Sequence, residues 1–188
     1  MRTVQRTERP DKNALRRARI GHYLPDLVYG ANDGIITTFA VVSGVVGADL
    51  SRTIILILGF ANLFADGISM GASNYLARRS TVEAQSSRED AFRHAAATIA
   101  AFIAAGLVPL VAYLLPLPPD SRFVAAVLLT AASLFSVGAA RSFVTGLSPL
   151  RSGLEMLLIG ALAAVAAYLI GAFASQFTGP DLGSSHTP

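Results

Sequence analysis

Asn62, Asp66, Met70 and Asn74 stand at every fourth position of the stretch NLFADGISMGASNY. On an α-helix, side chains four apart advance by only about 40°, so these residues form one slanting stripe of a carboxylate, a thioether and two amides. Such donors bind cations. Carboxylate and amide oxygens alone suit magnesium or calcium, and a thioether beside them shifts the preference towards a borderline transition ion such as ferrous iron or manganese. A second carboxylate, Asp33, lies in the stretch Asn32-Asp33-Gly34 and is followed by Thr37 and Thr38. The candidate metal ligands are therefore Asp33, Asp66, Met70, Asn62 and Asn74.

These residues sit inside apolar helices. The chain has 188 residues, 53% apolar and only 14% charged, with a mean hydropathy of +0.53, which excludes an ordinary soluble domain. Residues 53–77, which hold the stripe, are long enough at about 1.5 Å per residue to cross a hydrocarbon core of about 30 Å. The sequence predicts an all-α integral membrane protein with five transmembrane helices, at about residues 27–47, 53–77, 94–115, 122–143 and 154–177. An ionisable group inside such a span is costly and points to a pathway. Two carboxylates at one depth repel if both ionise, so burial favours a proton on one of them unless a cation is present; that makes the pair an exchanger of protons for metal.

No cysteine occurs, so disulfides and thiolate metal sites are excluded. The three histidines, His22, His94 and His186, are scattered singly, without the His-x-x-x-His spacing of a helical zinc site. No removable signal peptide is expected, since the chain opens on polar and basic residues. Nothing calls for an enzyme or a resident cofactor; the ion is cargo.

Residues 1–21 carry seven Lys and Arg and read as a basic cytoplasmic arm, suited to topology and anionic lipid rather than nucleic acid. His22 and Tyr23 fit an interface anchor, and Pro25 a helix start. Residues 22–177 form the transporter domain. In the first span, Asp33, Thr37, Ala40 and Gly44 share one small and polar face. The second span returns across the bilayer and brings Asp66 and Met70 to a depth similar to that of Asp33. Arg78, Arg79, Arg88 and Arg93 fall in a short amphipathic link. Pro109 interrupts the third span, and LPLPP at 115–119 ends it. Thr130, Ser133 and Ser136 of the fourth are expected to bond to their own backbone carbonyls. Gly160, Ala164, Ala167 and Gly171 give the fifth a stripe for close packing, and residues 178–188 read as a disordered tail.

Arg141 and Arg151 fall on the same side as the arm and the link, whereas only Arg52 and Arg122 lie opposite. The positive-inside rule then puts the N-terminus in the cytoplasm and the C-terminus outside. One subunit offers too few strong ligands to replace the roughly six of a hydrated divalent ion, so a homodimer is expected, with the small stripes of spans one and five as surfaces for close association.

The stretches DGIITTFAVVSGV from Asp33, GFANLFADGISMGASNYLA from Gly59 and SGLEMLLIGALAAVAAYLIGA from Ser152 resemble the vacuolar iron transporter family. That resemblance implies a homodimer of five-helix subunits that moves ferrous iron or manganese out of the cytoplasm in exchange for protons, through a pathway at the dimer interface. Asp33 and Met70 match the translocation ligands. The chain departs from vacuolar members in two ways: it lacks their long glutamate-rich cytoplasmic insertion between spans two and three, and it has Asn62 and Asn74 where they tend to have glutamates. It is similar in this to the short bacterial and nodulin-like members, which implies a bacterial inner membrane. The alternatives are a non-transporting membrane scaffold, whose polar residues only hold helices together, and a passive cation channel.

Overall fold

The computed structural model describes residues 12–80 and 87–178, which form five α-helices: α1 (Lys12–Gly47), α2 (Arg52–Ser80), α3 (Arg88–Leu114), α4 (Pro119–Thr145) and α5 (Pro149–Thr178). Residues 1–11 of the expected arm, part of the expected link, and the tail with His186 lie outside the described residues. Helices α2 to α5 are each long and apolar enough to cross a membrane. α1 falls short of that on composition, because Asn32, Asp33, Thr37, Thr38 and Ser43 dilute its apolar run. It is nonetheless the central helix. It packs against all four others, and Ile35, Thr38, Val42 and Ser43 are almost completely enclosed.

Side-chain contacts fix the directions. Arg52 Nε, at the start of α2, donates to the carbonyl of Tyr113 at the end of α3 (2.7 Å), so these two run antiparallel. α1 and α3 run parallel and in step, with every fourth residue facing its counterpart: His22 faces Asp90, Asp26 faces His94, and Gly30 and Gly34 meet Thr98 and Phe102. Glycine is required at these last two positions. A Cβ on Gly34 would lie 2.9 Å from the carbonyl carbon of Phe102 and closer still to its oxygen, a contact with backbone that no side-chain rotation relieves.

α5 lies parallel to α1: Gly160 meets Ile36 near the middle of α1, and Ala167 and Tyr168 meet Gly44 and Gly47 near its end. A Cβ on Gly171 would fall 2.8 Å from the carbonyl carbon of Gly44, and one on Gly47 would fall 2.9 Å from that of Tyr168. The small-residue stripes of spans one and five thus pack against each other within one chain. This differs from the expected use of those stripes between subunits, and its cause is the central position of α1. The outer faces are apolar: Leu154, Leu158, Leu162, Leu169 and Phe173 of α5 and Ile57, Phe64 and Ile68 of α2 are more than half exposed. So large an apolar surface is stable against lipid rather than water.

Pro25 does not start a helix, as the sequence suggests; α1 runs through it from Lys12. The proline removes one hydrogen bond, to the carbonyl of Gly21, at a place where both residues are exposed. Helix ends elsewhere are set locally. Ser87 caps α3 by accepting from the amide of Asp90, Pro119 opens α4, and Gly146 closes it at φ 70°, a left-handed value that favours glycine. In α4, Ser136 Oγ donates to the carbonyl of Ala132 as expected, whereas Thr130 Oγ1 is buried with no partner among the described residues.

Candidate functional site

Two Asp-Gly pairs meet at one level of the bundle. Gly34 of α1 presses on the backbone of Phe102, and a Cβ on Gly67 of α2 would lie 3.3 Å from the Phe102 ring. Phe102 itself is fully buried. Each glycine lets its helix approach α3 at the same residue, so Asp33 and Asp66, one position earlier, come to a common depth. Both are half-buried. Thr37 Oγ1 donates to the backbone carbonyl of Asp33 (2.8 Å), which leaves the Asp33 carboxylate outside that bond.

The other stripe residues divide. Met70 is half-buried one turn beyond Asp66 and packs in part on the apolar core. Asn62, one turn before Asp66, buries its amide nitrogen without a partner among the described residues, and Asn32 does the same with its amide oxygen. Unpaired buried amides are costly, at about 1–3 kcal/mol each, so Asn62, one turn from Asp66, marks a polar spot in an apolar wall, whereas Asn32 turns to the side of Arg141, Thr145 and Met156. Asn74 is engaged elsewhere. Its Nδ2 donates to Asp26 Oδ1 (2.7 Å) and Thr98 Oγ1 (2.8 Å), and its Oδ1 accepts from Arg78 Nε (3.0 Å).

Asn74 thereby joins a network at the charged end of the bundle that the sequence reading missed. Asp26 is its centre: Arg78 donates to both its oxygens, at 3.2 and 3.1 Å, and His94 Nδ1 lies 2.5 Å from Oδ2. Asp26 stands one residue before the apolar span of α1. Burial alone would push its carboxyl up, but the hydrogen bonds from His94, Asn74 and Arg78, with the Arg78 charge, outweigh this and hold it below the ordinary value. His94 is buried and His22 is close to it, with Nε2 atoms 2.9 Å apart. Histidines that stand singly in the sequence are thus neighbours in space. The signal was the four-residue step shared by α1 and α3: His22, Asp26, Gly30 and Gly34 on one, Asp90, His94, Thr98 and Phe102 on the other.

The model of the VIT family matches residues 24–91 and 81–172, two pieces that overlap between α2 and α3. The chain is 48% identical over 71 residues to the vacuolar iron transporter of Toxoplasma gondii, covering 36% of this chain and 24% of that protein. The chain thus spans about a quarter of the length of this relative. Vacuolar iron transporter 1 of Arabidopsis thaliana is 28% identical, with 80% of this chain and 85% of that protein aligned. The Eucalyptus grandis protein of the same name is 27% identical, with 79% and 85% covered. The matched pieces together take in both Asp-Gly helices and continue into α5, and the chain belongs to the VIT family.

Proposed function

We propose that this protein carries a divalent transition metal, ferrous iron or manganese, out of the cytoplasm in exchange for protons. It acts as a homodimer of five-span subunits, with the N-terminus and the Arg-rich ends of the helices inside a bacterial inner membrane and the C-terminus outside. The observation that carries this reading is the pair of half-buried carboxylates held at one level by Gly34 and Gly67 against Phe102. In a low-dielectric wall such a pair holds either a shared proton or a cation, and alternation between these states is the elementary step of an antiporter.

In this reading Asp33, Asp66 and Met70 bind the ion and Asn62 contributes an amide. Asn74, bonded to Asp26 and Arg78, ties the ligand helix to the charged mouth. The relatives are vacuolar iron transporters, which supports iron as cargo. A second copy would double the ligand set and cover the exposed face of α2. The cargo ion leaves the proposed cycle chemically unchanged, so in this reading the protein is a transporter rather than an enzyme.

Metal flux into sealed vesicles under an imposed pH gradient is the test. Uptake of iron or manganese that collapses with the gradient supports the antiporter. Uptake indifferent to the gradient would indicate a passive channel, and no uptake by a folded dimer would leave a scaffold.

A further inference from the structure

His22, Asp90 and His94 bring three metal-binding atoms together at the charged end of the bundle, within 4.8 Å of one another. The two Nε2 atoms are 2.9 Å apart; His22 Nε2 lies 3.7 Å from Asp90 Oδ1 and His94 Nε2 lies 3.7 Å from Asp90 Oδ2. An ion about 2.1 Å from each ligand separates neighbouring donors by roughly 3.0 Å at right angles and roughly 3.4 Å at tetrahedral angles. The observed spacings bracket that range with Asp90 facing the two imidazoles through different oxygens, so a rotation of its partly exposed carboxylate would close the set on an ion.

What lies behind the ligands matters as much. His94 Nδ1 faces Asp26 Oδ2, and Asp26 is in turn fixed by Arg78 and Asn74. A carboxylate on Nδ1 holds the imidazole as the tautomer whose Nε2 carries a free lone pair, and turns that lone pair towards His22; this is the arrangement that orients and strengthens metal-bound histidines. His94 is 1% exposed, whereas His22 and Asp90 are 55% and 35% exposed, so one ligand is rigidly preset and two are open to an incoming ion. The nearby cations do not oppose it: Arg78 is paired with Asp26 and Arg93 with Glu89.

We propose that His22, Asp90 and His94 form a binding site for a divalent first-row transition metal of the zinc or ferrous-iron class. The site is separate from the Asp33–Asp66 level, with at least one coordination position open to solvent. Two imidazoles and one carboxylate select such ions over magnesium and calcium, which take oxygen ligands. The site does not depend on transport, and its test does not read transport.

The full-length protein, purified in detergent and stripped with a chelator, is titrated with Co2+ in the presence of excess Mg2+, and the visible d–d absorption is followed. A band that saturates at one Co2+ per chain and is displaced by Zn2+ is expected. The Asp33→Asn, Asp66→Asn, Met70→Leu triple variant is expected to keep it. His22→Gln and Asp90→Asn are expected to lose it with unchanged melting temperature. Loss of a group merely supporting a ligand weakens metal binding about 10–100-fold, so loss of a ligand should do at least as much. His94 is left intact because its burial makes a folding defect possible. Absence of a band in the wild type, retention of it in both His22→Gln and Asp90→Asn, or its loss in the triple variant alone would overturn the site and leave His22 and His94 as a hydrogen-bonded pair.

Discussion

Substituting alanine at Gly34 tests whether the Asp-Gly pairs set the depth of the carboxylates. The added Cβ would stand 2.9 Å from the carbonyl carbon and 3.0 Å from the Cα of Phe102. Carbon atoms rest about 3.5–4.0 Å apart, so α1 and α3 must part by roughly 0.6 Å or more at their tightest point. Backbone cannot rotate away, so the cost falls in the upper part of the usual overpacking range, about 2–3 kcal/mol. Against this stands the better helix propensity of alanine, about 1 kcal/mol. Gly67→Ala is the control. Its nearest neighbours are the ends of side chains, Ile103 Cγ1 and the Phe102 ring, both at 3.3 Å. These yield by a few tenths of an ångström, and the propensity gain offsets most of the cost. Thermal unfolding in detergent should therefore place Gly34→Ala about 1–2 kcal/mol below the wild type and Gly67→Ala within about 0.5 kcal/mol of it. Metal flux at a temperature where both remain folded should fall more in Gly34→Ala, because Asp33 moves with α1. Equal stability and equal flux in the two variants would refute the argument that Phe102 is the common stop.

Asp33→Asn keeps size and hydrogen bonding but removes the charge, so proton-driven metal flux should be lost while the folded protein survives; wild-type flux would refute a coordinating role. Met70→Leu preserves apolar volume and deletes the sulfur, and competition among iron, manganese, zinc and calcium should show altered preference at unchanged melting temperature. Asp26→Ala should be the most destabilising of these, by about 3 kcal/mol, since it removes the carboxylate that both the buried His94 and the half-buried Arg78 bond; chemical denaturation reads the loss, and a cost below about 1 kcal/mol would contradict the network. Arg78→Gln, at a residue about one-third exposed, should cost only about 1 kcal/mol by the same assay.

Local chemistry made much of this protein legible from its sequence. Long apolar runs between charged or proline-bearing turns determine five helices, because a backbone in lipid must bond within itself; α2 to α5 fall close to where hydropathy puts them. The polar residues inside those runs, Asp33, Asp66 and Asn62, stand out for the same energetic reason, and their four-residue spacing already puts Asn62, Asp66 and Met70 on one face of α2. Tertiary structure alone decided what each face meets. Periodicity says that Gly44 and Gly171 want a close neighbour, but only packing shows that they take each other. The stripe through Asn74 is continuous in sequence, yet Asn74 is drawn to Asp26 because α1 and α3 run parallel and in step. The same step, invisible across the 72 positions between His22 and His94, turns two separate histidines and Asp90 into one cluster: side chains far apart in the chain share a site only when helix register puts them at one height.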